Sequence, residues 1–125
     1  MNTMAPPRPT ELDACRVRLT TGPAAAAEAR RQVRAAVRAW HAPVDPDVAV
    51  LLTSDLVTDA ILHQAGGSIA LDIRCDRGRI RVYVHGTSDP GPGLVLVAAL
   101  SDEWGSYRTP WGRATYFALA GRGER

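Results

Sequence analysis

Ile69, Leu71, Ile73 and Cys75 alternate with polar residues, Asp76-Arg77-Gly78 interrupts the run, and Ile80, Val82 and Val84 alternate back. A two-residue apolar period on both sides of a Gly-containing turn predicts an antiparallel hairpin with one oily face. A lone hairpin is marginal in water, so further strands and a covering layer have to come from the rest of the chain.

Those elements are legible on either side. Cys15, Val17 and Leu19 alternate with Arg16, Arg18 and Thr20, the pattern of a half-buried strand that Thr21-Gly22-Pro23 ends. Ala24 to Trp40 has the Ala, Arg and Glu content of a strong helix. Val33, Ala36, Val37 and Trp40 fall on one side of it, and Arg31, Arg34 and Arg38 on the other. After a short loop with Pro43, Asp45 caps a second helix with Pro46 in its first turn, running to about Gln64. Beyond the hairpin, Gly86 to Gly93 reads as a loop and Leu94 to Ser101 as a short apolar helix. Trp104 to Arg108 and Ala114 to Leu119 read as two strands around a Pro110-Trp111-Gly112 turn. The expected fold class is α+β, a two-layer α/β sandwich with helices on one face of a mostly antiparallel sheet. Leu51, Leu56, Ile69, Leu71, Ile73, Val82, Val84, Leu94, Leu96, Val97, Trp104 and Phe117 are its expected core. One domain is expected over 14–120, with a Pro-rich lead-in at 1–13 and a tail at 121–125.

Charge excludes little. The net charge is +2 and every basic side chain is Arg, which reflects codon bias towards high G+C. That balance makes no case for nucleic-acid binding, which needs a concentrated basic face. No apolar run approaches a bilayer span, and Met1 to Pro9 lacks the order of a signal peptide, so no membrane partner and a cytoplasmic location are expected. Cys15 and Cys75 show no CxxC spacing; free thiols are the favoured reading, with a bridge left open.

The second helix carries the chemistry. Asp55, Asp59 and His63 recur every four residues and form one polar stripe. Two carboxylates on successive turns repel unless a cation, a proton or water relieves them. The stripe is a solvated acidic face, a metal site drawing further ligands from His85, Asp89 or Asp102, or part of a nucleotide site.

The third reading rests on a resemblance. Asp55-Leu56-Val57-Thr58-Asp59-Ala60-Ile61-Leu62-His63 resembles the N-box of the GHKL, or Bergerat-fold, ATPases, in particular the anti-sigma-factor serine/threonine kinases, which carry Glu-Leu-Val-x-Asn-Ala-x-x-His. The run from Gly91-Pro92-Gly93-Leu94 to Ser101-Asp102-Glu103-Trp104-Gly105 is similar to that branch's Gly-x-Gly-Leu-x-Leu-Val-x-x-Leu-x-Asp-x-Trp-Gly. Gly112-Arg113-Ala114-Thr115-Tyr116-Phe117 lies where the branch has Gly-Lys/Gly-Thr-x-x-Trp/Phe, and the first helix ends in Trp40 as is common there. These pieces occur in the family's order from about Ala24 to Leu119.

The resemblance implies an ATP site, and the departures imply that it is degenerate. Asp55 stands at the general-base position with a side chain one methylene shorter than the family's Glu, and proton transfer needs contact at about 3 Å. Asp59 replaces the magnesium-holding Asn; it is an acceptable ligand for magnesium if a nucleotide binds, yet it adds negative charge beside the phosphates. The family's adenine-recognising Asp would fall on Gly86, or on His85 if the register slips by one; neither offers a carboxylate, and a site built around one hydrogen-bonded edge loses discrimination without it. Only Thr87 to Pro90 remain of the flexible lid, and Ala114 replaces a Thr. Gly91 and Gly93 still offer backbone amides to an anion, and Arg113 and His63 keep polar character near the phosphate positions.

What the resemblance implies for function is a regulator that grips proteins. Its expected partners are an alternative sigma factor, a STAS-domain anti-anti-sigma protein, or both, with no required cofactor. Homodimerisation is likewise implied only by the resemblance. Arg30, Arg31, Arg34 and Arg38 are candidate partner contacts, against the ordinary reading of Arg on a wet helix face. The alternative is an active Mg-ATP-dependent serine/threonine kinase that phosphorylates the STAS antagonist, with Asp55 as base and Asp59 on the metal. A ligand sensor reusing an emptied pocket is a third option.

Overall fold

The computed structural model describes residues 13–63, 67–86 and 94–121. In these, five strands and three helices follow one another as β1 (Asp13–Thr20), α1 (Ala25–Ala39), α2 (Pro46–His63), β2 (Ser68–Asp76), β3 (Arg79–Gly86), α3 (Val95–Leu100), β4 (Glu103–Thr109) and β5 (Gly112–Ala120). The strands form one sheet in the order β1-β2-β3-β5-β4, with every neighbouring pair antiparallel. The fold is α+β with two layers. Asp13, expected in the lead-in, pairs with Cys75 as the first described residue of β1.

The hairpin organises the sheet as its pattern predicts. Arg77 and Gly78 form its two-residue turn with φ of 57° and 74°. Positive φ at both positions is the type I′ geometry, whose twist matches that of the flanking strands. Ile69, Leu71, Ile73, Ile80, Val82 and Val84 then share one face with Phe117 and Leu119 of β5, and all are buried. Helix α1 covers this face with Ala25, Ala29, Val33, Ala36 and Val37, and α2 with Ala49, Leu52, Leu56 and Val57.

Three core assignments change. Leu51, Leu96 and Trp104 are solvent-exposed, whereas Leu52 and Val57 are fully buried. Helix α2 is apolar on most of its circumference, so periodicity does not select which residue of Leu51-Leu52 points inward; packing against both α1 and the sheet selects Leu52. Leu96 sits on the short helix α3 and Trp104 on the edge strand β4, both at the margin of the core.

Helix ends follow from local chemistry. Asp45 accepts the backbone N–H of Asp47 at 2.9 Å, capping α2 ahead of Pro46. Helix α1 closes in a Schellman arrangement, with Ala42 N–H donating to Val37 C=O at 3.0 Å and His41 N–H to Arg38 C=O at 3.3 Å. His41 occupies the left-handed position of that motif at φ 51°. The next residues bring Pro43 against the opposite end of the sheet. Gly121 N–H donates to Gly78 C=O at 3.0 Å, and a Cβ on Gly121 would lie 2.7 Å from Pro43 Cγ and 3.1 Å from its carbonyl oxygen. Gly121, expected in the tail, is therefore part of the packed domain.

Replacing His41 by Gly removes left-handed strain at the cost of a more flexible unfolded chain, and should stabilise the protein by about 0.5–1 kcal/mol in urea titrations. Gly121→Ala should do the opposite, lowering stability by about 1–3 kcal/mol in the same titration because the Pro43 ring and its carbonyl block the added methyl.

Candidate functional site

Helix α2 presents its polar stripe to α3 and to the ends of β3 and β5. Asp55 is half-buried, and its Oδ2 accepts the backbone N–H of Val97 at 3.1 Å, tying α2 to the first turn of α3. Asp59 is buried, at 6% exposure. One turn on, His63 Nδ1 lies 2.9 Å from the Asp59 carbonyl oxygen and 3.5 Å from its carboxylate. The stripe is thus not a solvated acidic face. Beneath it Thr53 is fully buried and donates its hydroxyl to Ala49 C=O at 2.8 Å. Ser54, beside Asp55, accepts from Arg30 at 3.1 Å.

The sheet closes one side of this region. Gly86 and Arg113 are cross-strand partners at the ends of β3 and β5. Strand alternation puts Arg113 and Thr115 on the same face as buried Phe117, the face that α2 covers. Arg113 Nε donates to Ser106 Oγ at 3.2 Å, and Thr115 donates to the same oxygen at 3.3 Å. Ala114 points to the other face, between His85 and Tyr107 in register. Hydroxyls on the α2 side therefore come from Thr115 and Ser106, one position off the expected one. The signal was present in the sequence, since a strand that buries Phe117 must also turn Thr115 inward.

Other candidate residues are separated from the stripe. His85 lies on the uncovered face of the sheet, 3.8 Å from Asp72. Asp102 accepts the Ala120 N–H at 2.7 Å, at the far end of β5. Asp89, Gly91, Gly93 and the four residues from Thr87 to Pro90 lie outside the described residues. The metal reading would bring His85 or Asp102 to Asp55, Asp59 and His63, and neither of these two residues lies at the stripe. Among the described residues no group of three or more His, Cys, Asp or Glu side chains is gathered to hold an ion. Magnesium prefers near-octahedral oxygen coordination. The donors here are the buried Asp59 carboxylate beside the His63 imidazole, with Asp55 Oδ2 engaged by the Val97 amide.

The arginines of α1 are mostly spoken for within the fold. Arg30 bonds to Ser54, Arg34 lies 3.3 Å from Asp47, and Arg31 pairs with Glu28. Together with Gln32 that pair holds the Glu28 carboxyl below its usual pKa, with the Gln32 bond the larger influence. Arg38 is exposed and has no ion pair among the described residues. Cys15 and Cys75 are free, and burial pushes the Cys75 thiol upward.

Compared with known proteins, the chain matches no protein-family model and no curated sequence.

Asp55→Ala should cost about 1–2 kcal/mol in urea unfolding, because a charge-assisted hydrogen bond across two helices is lost, and it should speed hydrogen exchange at the Val97 amide. Asp55→Asn, which keeps an acceptor, should lose less. Burial, and secondarily the Arg16 charge, holds the His85 imidazole below its usual pKa of 6.5. The unfolded chain then binds the proton more readily than the folded one. Stability should be full above 6.5 and decline as pH falls from there through the lower folded pKa. The decline should be shallower in His85→Asn, measured as urea midpoints against pH.

Proposed function

We propose that the chain is a non-catalytic regulator of the anti-sigma-factor type, built on the GHKL fold, that grips an alternative sigma factor, its STAS-domain antagonist, or both. The observation that carries this reading is the engagement of Asp55. The carboxylate at the position of the family's general base accepts the Val97 amide and holds α3 against α2. A carboxylate that is hydrogen-bonded to a backbone donor within the scaffold is poorly placed to take a proton from a substrate hydroxyl.

Two features support the same reading. The element order, two helices between β1 and the hairpin and a short helix before the last two strands, agrees with the order in which the family-like motifs occur. Strand β3 ends at Gly86, which has no side chain to accept an adenine amino group. Protein binding has its own support in α3. Val95, Leu96 and Leu100 are exposed on that helix, as is Leu51 on α2, although three of the four belong to a six-residue helix with little surface to spare. Exposed large aliphatic side chains on adjacent elements are what a partner would cover.

The competing reading, a working Mg-ATP-dependent serine kinase, is favoured by a single observation: Asp55 and Asp59 stand on successive turns of one helix, as a base and a metal ligand would. The two readings separate in solution. Calorimetric titration with Mg-ATP and Mg-ADP should show no micromolar binding, and mixtures with STAS-domain proteins and labelled ATP should show no phosphotransfer. Association with a sigma factor or a STAS protein should persist without nucleotide and weaken in a Val95→Ser, Leu100→Ser variant. Micromolar Mg-ATP binding with phosphotransfer lost in Asp55→Asn would overturn the proposal in favour of the kinase.

A further inference from the structure

The face of the sheet turned away from the helices carries a second constellation. Alternation places Arg16 and Arg18 of β1, Asp72 and Arg74 of β2, Tyr83 and His85 of β3, and Tyr107 of β4 on that face. They line an open basin of about 700 Å³, with Trp111 of the β4–β5 turn at its rim. That volume is in the range of small-molecule sites.

The charges in the basin do not cancel. Arg74 binds Asp72 with both ends of its guanidinium, each at 3.3 Å, and this partner raises the Arg74 pKa. Asp72 is 5% exposed and is thereby used up. Arg18 reaches only the Ser68 hydroxyl, at 3.0 Å, and Arg16 makes no hydrogen bond or ion pair among the described residues. Among the described residues three guanidinium groups of the basin thus face one carboxylate, and the two on β1 have no acid partner. They are two residues apart on one strand face, hence about 7 Å apart along the chain, close enough to share one anion.

The opposite wall is aromatic. Tyr83 stacks on Tyr116 at 5.4 Å between ring centres, with His85 beside it at 6.2 Å, and Tyr107 leans on Tyr116 at 6.4 Å. Gly105 makes room for this, since a Cβ there would be 3.2 Å from the Tyr116 ring. Tyr107 is half-exposed and Trp111 is 84% exposed, so both offer ring surface to a ligand. A fixed cationic pair facing a rigid aromatic wall selects a molecule that is anionic at one end and flat at the other.

We propose that this basin binds a small planar aromatic anion, with its carboxylate or phosphate held by Arg16 and Arg18 and its ring packed against Tyr83, Tyr107 and Trp111. Arg81 shares this face opposite Arg74, so a nucleic-acid strand is the rival occupant, and a carboxylate at the far side of the face counts against it. At the far side Glu103 pairs with Arg79 at 3.2 Å and accepts from Tyr116 at 2.7 Å, setting a carboxylate where the next phosphate would run. The site lies on the opposite side of the sheet from α2, so it stands or falls separately from the regulator reading.

Calorimetry on the full chain with 1-naphthoate, 1-naphthyl phosphate and the neutral 1-naphthamide tests this. Either anion should bind with a dissociation constant below about 1 mM, and the amide about tenfold or more weaker. Whichever anion binds more tightly identifies the headgroup. Arg16→Gln with Arg18→Gln should weaken both anions about tenfold and leave the amide unchanged. Trp111→Ala should weaken all three. Circular dichroism confirms that these surface variants keep the fold. Equal binding of amide and anions, anion binding insensitive to the Arg pair, or no binding at about 10 mM would overturn the proposal. So would a single-stranded oligonucleotide that binds more tightly than either anion and gains affinity with length.

Discussion

The apolar face of the sheet buries against α2, and most other features follow from that contact. Leu52, Leu56 and Val57 join Val82 and Phe117 in one core with almost no residual exposure. Burying one such side chain is worth about 1.5–3 kcal/mol, so the helix is held in one rotation by a handful of residues. That rotation decides where its polar residues can point. Thr53 and Asp59 are carried inside with the apolar ones, and their hydrogen-bonding needs have to be met locally. Thr53 turns back on its own helix, and Asp59 is neighboured by His63.

The same rotation gives Asp55 its present role. Set at the margin between core and solvent, it meets the first turn of α3, whose amides have no partners within so short a helix. A carboxylate there satisfies a backbone donor and fixes α3, which in turn leaves Val95, Leu96 and Leu100 facing outward. In the proposed regulator, a residue type suited to chemistry thus serves to present a binding surface. The polar stripe and the apolar helix are two sides of one arrangement.

The uncovered sheet face obeys a different balance. Among the described residues no helix covers it, and it carries Arg, Tyr and His with Trp111 at the rim, side chains that shield backbone while keeping a polar end in water. Asp72 is nevertheless buried there, under Arg74 and beside His85. Strand β1 adds guanidinium groups that no carboxylate answers among the described residues. This excess gives the face its selectivity, and the summed charge of the chain conceals it, since basic and acidic residues elsewhere nearly cancel.

Element boundaries and order were legible in the sequence because strand and helix periods are local. The I′ turn at Arg77-Gly78, the Asp45 cap and the alternation of β1, β2, β3 and β5 each depend on neighbours a few residues away. The stripe of Asp55, Asp59 and His63 was legible for the same reason. Its environment was not: whether Asp59 is wet or buried depends on how an almost wholly apolar helix rotates against a sheet assembled from distant segments. Leu51 and Leu52 exchange roles for that reason, and Thr115 rather than Ala114 turns its side chain to the helices because β5 is anchored by Phe117. The basin on the far face was invisible because Arg16, Asp72, Tyr83 and Tyr107 become neighbours only through strand register. The sequence by itself determined which segments are strands and helices and which residues carry charge. Tertiary structure alone decided which of those charges are neutralised, since pairing depends on distances that only the assembled sheet defines.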